Sequence, residues 1–448
     1  MNRQELRGEI MRRLGKRTLV WAGIRGDDVE SLADLDQLRA AYSIIAGYRK
    51  RAGIDGIALE DATGRRVDLE VWDIDDHRQD QAVVNFRRSL LRTLGAASAM
   101  VPYRPSRFLS AIWFARRDRC LHLGLFGAHQ FAFEHKPWVE TAVDALGIPT
   151  IPWVYVADEE QLQTTDLLDR GPVVLRRSRT SGGEGIYRVE TAADLERLWP
   201  ESEEAFVSVA PFLDDAMPIN VGGTVWLDGV TVHYPSVQLI GIENCVTRPF
   251  GYCGNDFFAV QYLDGAVIDA IEAYTMKIGA WLRNHGYLGT FGVDYMLERD
   301  GTLRFTEVNP RFQGSTAASG RIAVDSDQAC LPLEHLAAHL GVLMPAQEPL
   351  TVRVREMAPV SQIIVHWTGN KSANVDPKPL TDFVIERGGF GDIAARPDLS
   401  VDPGAAAVRL TIPECVTKSG FEIIEPYGAT IQEWQQSMNV RKYTGNRM

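Results

Sequence analysis

Between Gly289 and Arg311 the sequence reads Gly-Thr-Phe-Gly-Val-Asp-Tyr-Met-Leu-Glu-Arg-Asp-Gly-Thr-Leu-Arg-Phe-Thr-Glu-Val-Asn-Pro-Arg. Asp300-Gly301 between two alternating runs predicts a two-residue hairpin turn. With that turn Arg299 faces Thr302, Asp294 lies directly across from Glu307, and Asn309 falls opposite Gly292 on the same face. Directly opposed residues hold their Cβ atoms about 4.5–5.5 Å apart, and like charges there repel. A hairpin that faces two carboxylates therefore calls for positive charge between them. Asp294, Glu307 and the Asn309 amide oxygen are hard donors suited to Mg²⁺ (or Mn²⁺) held together with nucleotide phosphates. The plainer reading is a solvated face on which the two acids avoid each other. The full run Glu307-Val-Asn309-Pro-Arg311 weighs against it, because each polar residue supplies something a metal–phosphate site needs.

A second hairpin runs from Pro172-Val-Val-Leu-Arg-Arg177 through Ser178-Arg-Thr-Ser-Gly-Gly-Glu-Gly185 into Ile186-Tyr-Arg-Val-Glu190. Phosphate loops of the Rossmann and P-loop kinds lead from a strand into a helix. This loop returns into a strand, and helix signals begin only at Thr191, so it is a strand–flap–strand. Ser181, Gly182, Gly183 and Gly185 can aim backbone N–H groups at phosphate oxygens, since glycine permits the close approach. An ordinary hairpin tip is the competing reading.

The elements that must position these hairpins follow from patterning. Leu6, Ile10 and Leu14 recur every four residues in Met1–Arg17, a helix pattern without the apolar core of a signal peptide. Strand signals at Thr18–Trp21, Val67–Trp72 and Ser110–Phe114, with a helical spacing of Leu32, Leu35, Leu38 and Tyr42 between, predict an α/β domain over residues 1–130. A helix over Phe131–Ile148 ends in a Gly/Pro break. Residues 131–345 read as two α+β lobes, about 131–213 and 214–345. Residues 346–448 read as a C-terminal domain with strands at Val352–Arg355 and Gln362–Trp367.

Lys plus Arg number 47 and Asp plus Glu 59, a net charge of −12, which argues against general nucleic-acid or anionic-membrane binding. Five scattered cysteines without a Cys-x-x-Cys pair read as free thiols of a reducing, cytoplasmic compartment. No run approaches the roughly 18 apolar residues of a membrane span. His335 and His339 lie four apart but lack the glutamate of a His-Glu-x-x-His zinc site, and read as structural helix residues.

The two hairpins in this order resemble the ATP-grasp fold, in which two α+β lobes clamp ATP. The resemblance covers roughly residues 130–345, with a pre-ATP-grasp domain before it and an extension after. It implies that Asp294, Glu307 and Asn309 are the metal ligands and that Arg311 holds the carboxylate or acyl phosphate. Lys136 is similar to the family's first ATP-binding lysine. Arg176 stands where the family carries a second lysine; it keeps the charge with a longer, planar head. The Pro211 carbonyl and Leu213 N–H would read adenine, Asp214 and Asp215 are candidates for the ribose, and His233 and His366 for a general base. The run Asn309-Pro-Arg-Phe-Gln-Gly-Ser-Thr316 and the long extension are most similar to pheganomycin-type peptide ligases.

That resemblance implies an ATP-dependent carboxylate–amine ligase, joining a carboxylic acid to an amine or peptide through an acyl phosphate with release of ADP and phosphate. Arg311 and Arg176 would be its catalytic cations, small acids and amines its substrates, and a homodimer its assembly. The alternatives are a degenerate ATP-binding regulator, motivated by Arg176, and another ATP-grasp enzyme of carboxylase or phosphotransfer type.

Overall fold

The computed structural model describes residues 2–46, 53–95, 97–104, 120–124, 132–179, 182–200, 204–391 and 399–444. Asn2 and Glu5 close a capping box on the helix Arg3–Leu14, whose Leu6, Ile10 and Leu14 are fully buried. The helix leads into a five-stranded parallel sheet ordered 55–58, 38–45, 18–25, 98–102, 120–122. Two expectations fail here. Gly26–Leu32 is a short 3-10 helix and Leu38–Ile45 a strand, where helical spacing had been read. A strand buried on both faces is apolar nearly throughout, so a helical period can be picked out of it. Val67–Trp72 forms no strand; only Arg65–Arg66 pairs, with Ser400–Val401. The expected strand at Ser110–Phe114 lies outside the described residues.

Two further sheets hold the hairpins. One has four antiparallel strands ordered 154–156, 207–211, 173–176, 186–189. The other has eight, ordered 303–309, 289–297, 217–225, 230–240, 252–256, 361–366, 406–412, 390–391. Helix Gly265–Asn284 packs its Ile268, Ile271, Ile278 and Leu282 onto the larger sheet, in a core with Phe291, Tyr295 and Phe305. Residues 361–412 thus continue the sheet that carries the acidic hairpin. The helix expected over Phe131–Ile148 is shorter, Lys136–Asp144. Leu350–Glu356 is a helix rather than the strand expected at Val352–Arg355; Leu350 and Val354, four apart, face the core.

The acidic hairpin pairs Asp294 with Glu307 and Gly292 with Asn309, as the sequence predicts, but by another route. The turn holds three residues, Arg299-Asp300-Gly301, closed by a hydrogen bond from Glu298 N to Thr302 O, with Gly301 at φ +87°. That loop sets Leu297 opposite Leu303 and Tyr295 opposite Phe305, one residue away from the predicted register. Thr306 then bulges out of the ladder and restores it. Its hydroxyl donates to the Asp294 carbonyl, 2.9 Å away, and pins the bulge.

Candidate functional site

A row of polar side chains crosses the larger sheet where its neighbours are apolar. Asn220 is the register partner of Asp294, as Asp294 is of Glu307. Asp294 is 8% exposed, and three hydrogen bonds hold its carboxyl. Asn220 Nδ2 donates to Oδ1 at 2.5 Å, Gln238 Nε2 to the same oxygen at 3.3 Å, and Asn309 Nδ2 to Oδ2 at 2.9 Å. Asn309 Nδ2 also reaches Glu307 Oε1 at 3.3 Å, and Ser315 Oγ donates to Asn220 Oδ1 at 2.8 Å. Lys136, buried at the start of its helix, places Nζ 2.5 Å from Glu307 Oε2.

The positive charge that the opposed acids call for is supplied here by the Lys136 ammonium, with amide groups from Asn220, Gln238 and Asn309 beside it. The acids respond in opposite directions. Burial first, and the neighbouring Glu307 second, push the Asp294 carboxyl up to about 8. Glu307 resists its own burial and is held down at about 2 by the Lys136 ammonium. A neutral Asp294 and an ionised Glu307 share the gap. A divalent cation suits this donor set: it would take the place of the proton on Asp294 and of the Lys136 ammonium, and would require the Asn309 amide to turn its oxygen inward. Among the described residues no group of three or more His, Cys, Asp or Glu side chains converges, so such an ion would rest on two carboxylates and amide oxygens.

The row forms one wall of a cavity of about 510 Å³ between the sheets. Arg176, Gly182, Gly183, Pro211, Leu213, Asp294, Glu307, Asn309 and Arg311 all line it. At one end Ile151, Trp153, Val174, Ile186 and Met296 make an apolar slot beside Pro211 and Leu213. Arg176 ends its strand inside the cavity wall. Its guanidinium pairs with Glu140 and lies 3.9 Å over the Trp153 ring, so its charge is balanced within the wall. Arg311 is raised above its ordinary pKa despite burial, by Tyr103 and several carboxylates around it.

The flap lies down over the cavity. Gly182, Gly183 and Gly185 have φ of +53°, +82° and +69°. A Cβ on Gly183 would sit 2.0 Å from the Phe250 carbonyl oxygen, and one on Gly182 2.1 Å from the Glu70 carboxylate. Only glycine permits both the conformation and the approach. Ser181 lies outside the described residues.

Other candidates are not brought together. Asp214 and Asp215 are exposed outside the cavity, and Asp215 pairs with Arg299, so neither reaches a ribose there. His233 is buried against Glu334 at 2.9 Å, and His366 against the Cys245 carbonyl at 3.0 Å; neither lines the cavity, so neither serves as its base. His335 is structural: Nδ1 accepts from Thr290 N and Nε2 contacts the Leu123 carbonyl, each at 3.0 Å, with burial holding its pKa near 4. All five cysteines are free thiols. Asn220, Gln238, Glu140 and Trp153 escape a reading confined to local motifs. The one local signal was a polar Asn220 or Gln238 inside otherwise apolar strands.

No family model matches the chain. It is 27% identical over 291 residues to the formate-dependent phosphoribosylglycinamide formyltransferase of Synechococcus sp. (strain CC9311), covering 62% of this chain and 68% of that protein. It spans about half the length of other formyltransferases it matches. Among solved structures, the biotin carboxylase–β,γ-ATP complex of Campylobacter jejuni superposes with a TM-score of 0.60 at 13% identity, over 97% of this chain and 98% of that one. The biotin carboxylase domain dimer of Hydrogenobacter thermophilus 2-oxoglutarate carboxylase, bound to MgADP, ADP and bicarbonate, gives 0.59 at 13%, over 89% and 86%. No helix among the described residues is long and apolar enough to cross a membrane.

Proposed function

We propose that the chain, which has the two-lobed fold of the ATP-grasp superfamily of carboxylate–amine ligases and carboxylases, activates a carboxylic acid as an acyl phosphate and passes the acyl group to an amine. The observation that carries this reading is the convergence in one cavity of an apolar slot, a glycine flap, an opposed Asp294–Glu307 pair and Arg311.

Adenine enters the slot beside Pro211 and Leu213, and the flap glycines offer N–H groups to the phosphates. Asp294, Glu307 and Asn309 would hold Mg²⁺, which when bound supplies charge neutralisation for the phosphates. Lys136, released from Glu307, turns to the phosphate oxygens. Arg176 has its charge balanced by Glu140, and its part is to shape the wall beside the triphosphate. Arg311 orients the acid carboxylate for in-line attack on the γ-phosphorus, so the residues contribute position and charge rather than covalent chemistry. The closed flap excludes water from the acyl phosphate.

The relatives are formyltransferases and carboxylases, which favours the carboxylase-type alternative over a peptide acceptor of the pheganomycin kind. A small amine is therefore the acceptor proposed here, and a homodimer the assembly, by analogy with the domain dimer among the structural neighbours. Product analysis with a mixed acid and amine pool tests the reading. ADP and phosphate should form only when both are present. AMP with pyrophosphate, or ATP binding without turnover against the whole pool, would contradict it.

A further inference from the structure

The cavity has a second apolar end, away from the adenine slot and built by the N-terminal domain. Ile44, Trp72, Ile74 and Phe86 line it. The parallel sheet there reverses its strand order between strands 18–25 and 98–102. Ligands of open parallel sheets bind at such a switch point, beyond the carboxyl ends of the strands. Arg25 ends the first of these strands and Tyr103 follows the second; both line the cavity. Arg25 Nε is buried without a hydrogen-bond partner, and the buried Asp28 three residues on is the carboxylate on which Arg25 acts. Arg25, Tyr103, Arg104 and Arg311 all line the cavity, so guanidinium charge is concentrated where the N-terminal sheet meets it. Arg311 lies two residues past the strand 303–309 that carries Glu307 and Asn309, which puts it beside the acidic pair.

We propose that this chamber is the acid subsite, taking a carboxylic acid with an apolar aryl or branched-alkyl body whose carboxylate lies between Arg25 and Arg311. A one-carbon acid offers no apolar surface to Ile44, Trp72, Ile74 and Phe86. A phosphorylated sugar would desolvate its hydroxyls against Ile44, Ile74 and Phe86. The short 3-10 helix Gly26–Leu32 offers no helix terminus of the kind that binds phosphate. The assignment rests on the acyl-phosphate reading above. A carboxylate oxygen attacks the γ-phosphorus, the bond to the β,γ-bridging oxygen breaks, and ADP leaves with the electron pair.

Hydroxylamine trapping on the full-length protein with MgATP tests this. Hydroxylamine nitrogen attacks the acyl carbon, phosphate leaves, the proton goes to buffer, and a hydroxamate results. The probes are 3-phenylpropionate, isovalerate, formate and bicarbonate, with ribose 5-phosphate as a competitor. Direct binding of each without ATP is followed by Trp72 fluorescence, with Trp72→Phe as control. The expected result is a KM for 3-phenylpropionate at least tenfold below that for formate. Arg25→Gln should raise it a further tenfold or more, Arg25→Lys should restore part of the loss, and the KM for ATP should stay within twofold. Hydroxamate from formate alone, or ribose 5-phosphate displacing 3-phenylpropionate at lower concentration, would overturn the subsite while leaving the acyl-phosphate reading standing. Binding of 3-phenylpropionate in competition with isovalerate, with no hydroxamate from any acid, would uphold the chamber and overturn the acyl-phosphate reading instead.

Discussion

Asp294 and Glu307 show how two identical chemical groups, set face to face, are driven apart in acidity by their neighbours. Asp294 has a folded-state pKa near 8, above its ordinary 3.8, so the folded protein binds the extra proton. Its contribution to stability is present in full below about pH 4 and drains away as pH rises through 8, at up to about 1.4 kcal/mol per pH unit. Glu307, held near 2, loses its contribution only in strong acid, so between pH 5 and 8 the Asp294 slope stands alone for this pair. Urea denaturation of metal-free protein should therefore give a steeper fall with pH in the wild type than in Asp294→Asn; equal slopes would contradict the assignment. Glu307→Gln should abolish ADP release. It should also destabilise the metal-free protein, by about 1–3 kcal/mol, because it removes the charged partner 2.5 Å from the buried Lys136 ammonium. Reasoning from the sequence alone gives the opposite sign, relief of repulsion, since nothing local to the hairpin reveals that Lys136 arrives from 171 residues earlier.

Among the elements, the acidic hairpin was legible in outline and misread in detail. Its facing pair is correct because a three-residue turn and the Thr306 bulge shift the register by compensating amounts. A bulge leaves little trace in the pattern, since Thr306 suits a strand as well as its neighbours do. Deleting Thr306 should straighten the ladder and keep Asp294 opposite Glu307, because the turn's register then carries Glu307 into the place Thr306 held. Divalent-cation-dependent ADP release should therefore survive the deletion with far-UV circular dichroism unchanged; its loss would show that the facing pair alone does not set the site. The flap was easier to see, because its glycines follow from backbone need. Gly183→Ala should raise the KM for ATP at least tenfold, through the carbonyl of Phe250 and a left-handed φ costing about 1–2 kcal/mol. An unchanged KM would mean the flap does not close as described.

Over the whole molecule, the α/β class and the two lobes were legible, while of the N-terminal strands expected only Thr18–Trp21 forms one among the described residues, and the junctions between the parts stayed hidden. Strands 361–366, 390–391 and 406–412 extend the site's own sheet, and Asp256 in its midst accepts from Val416 N at 2.6 Å and Thr417 N at 3.1 Å. A chain cut at residue 345 should consequently expose the edge of strand 252–256 and aggregate, as light scattering would show. The cavity draws on all three parts of the chain, which is why no single motif announced its aromatic end. On the proposed reading, the acidic pair exchanges a proton for a cation when the nucleotide binds. Calorimetry of MgADP binding at pH 7, in buffers of differing ionisation enthalpy, measures that exchange. A proton should be released on binding to the wild type and none in Asp294→Asn, which should bind at least tenfold more weakly. Equal affinity in the two proteins, with no proton released by either, would contradict the site.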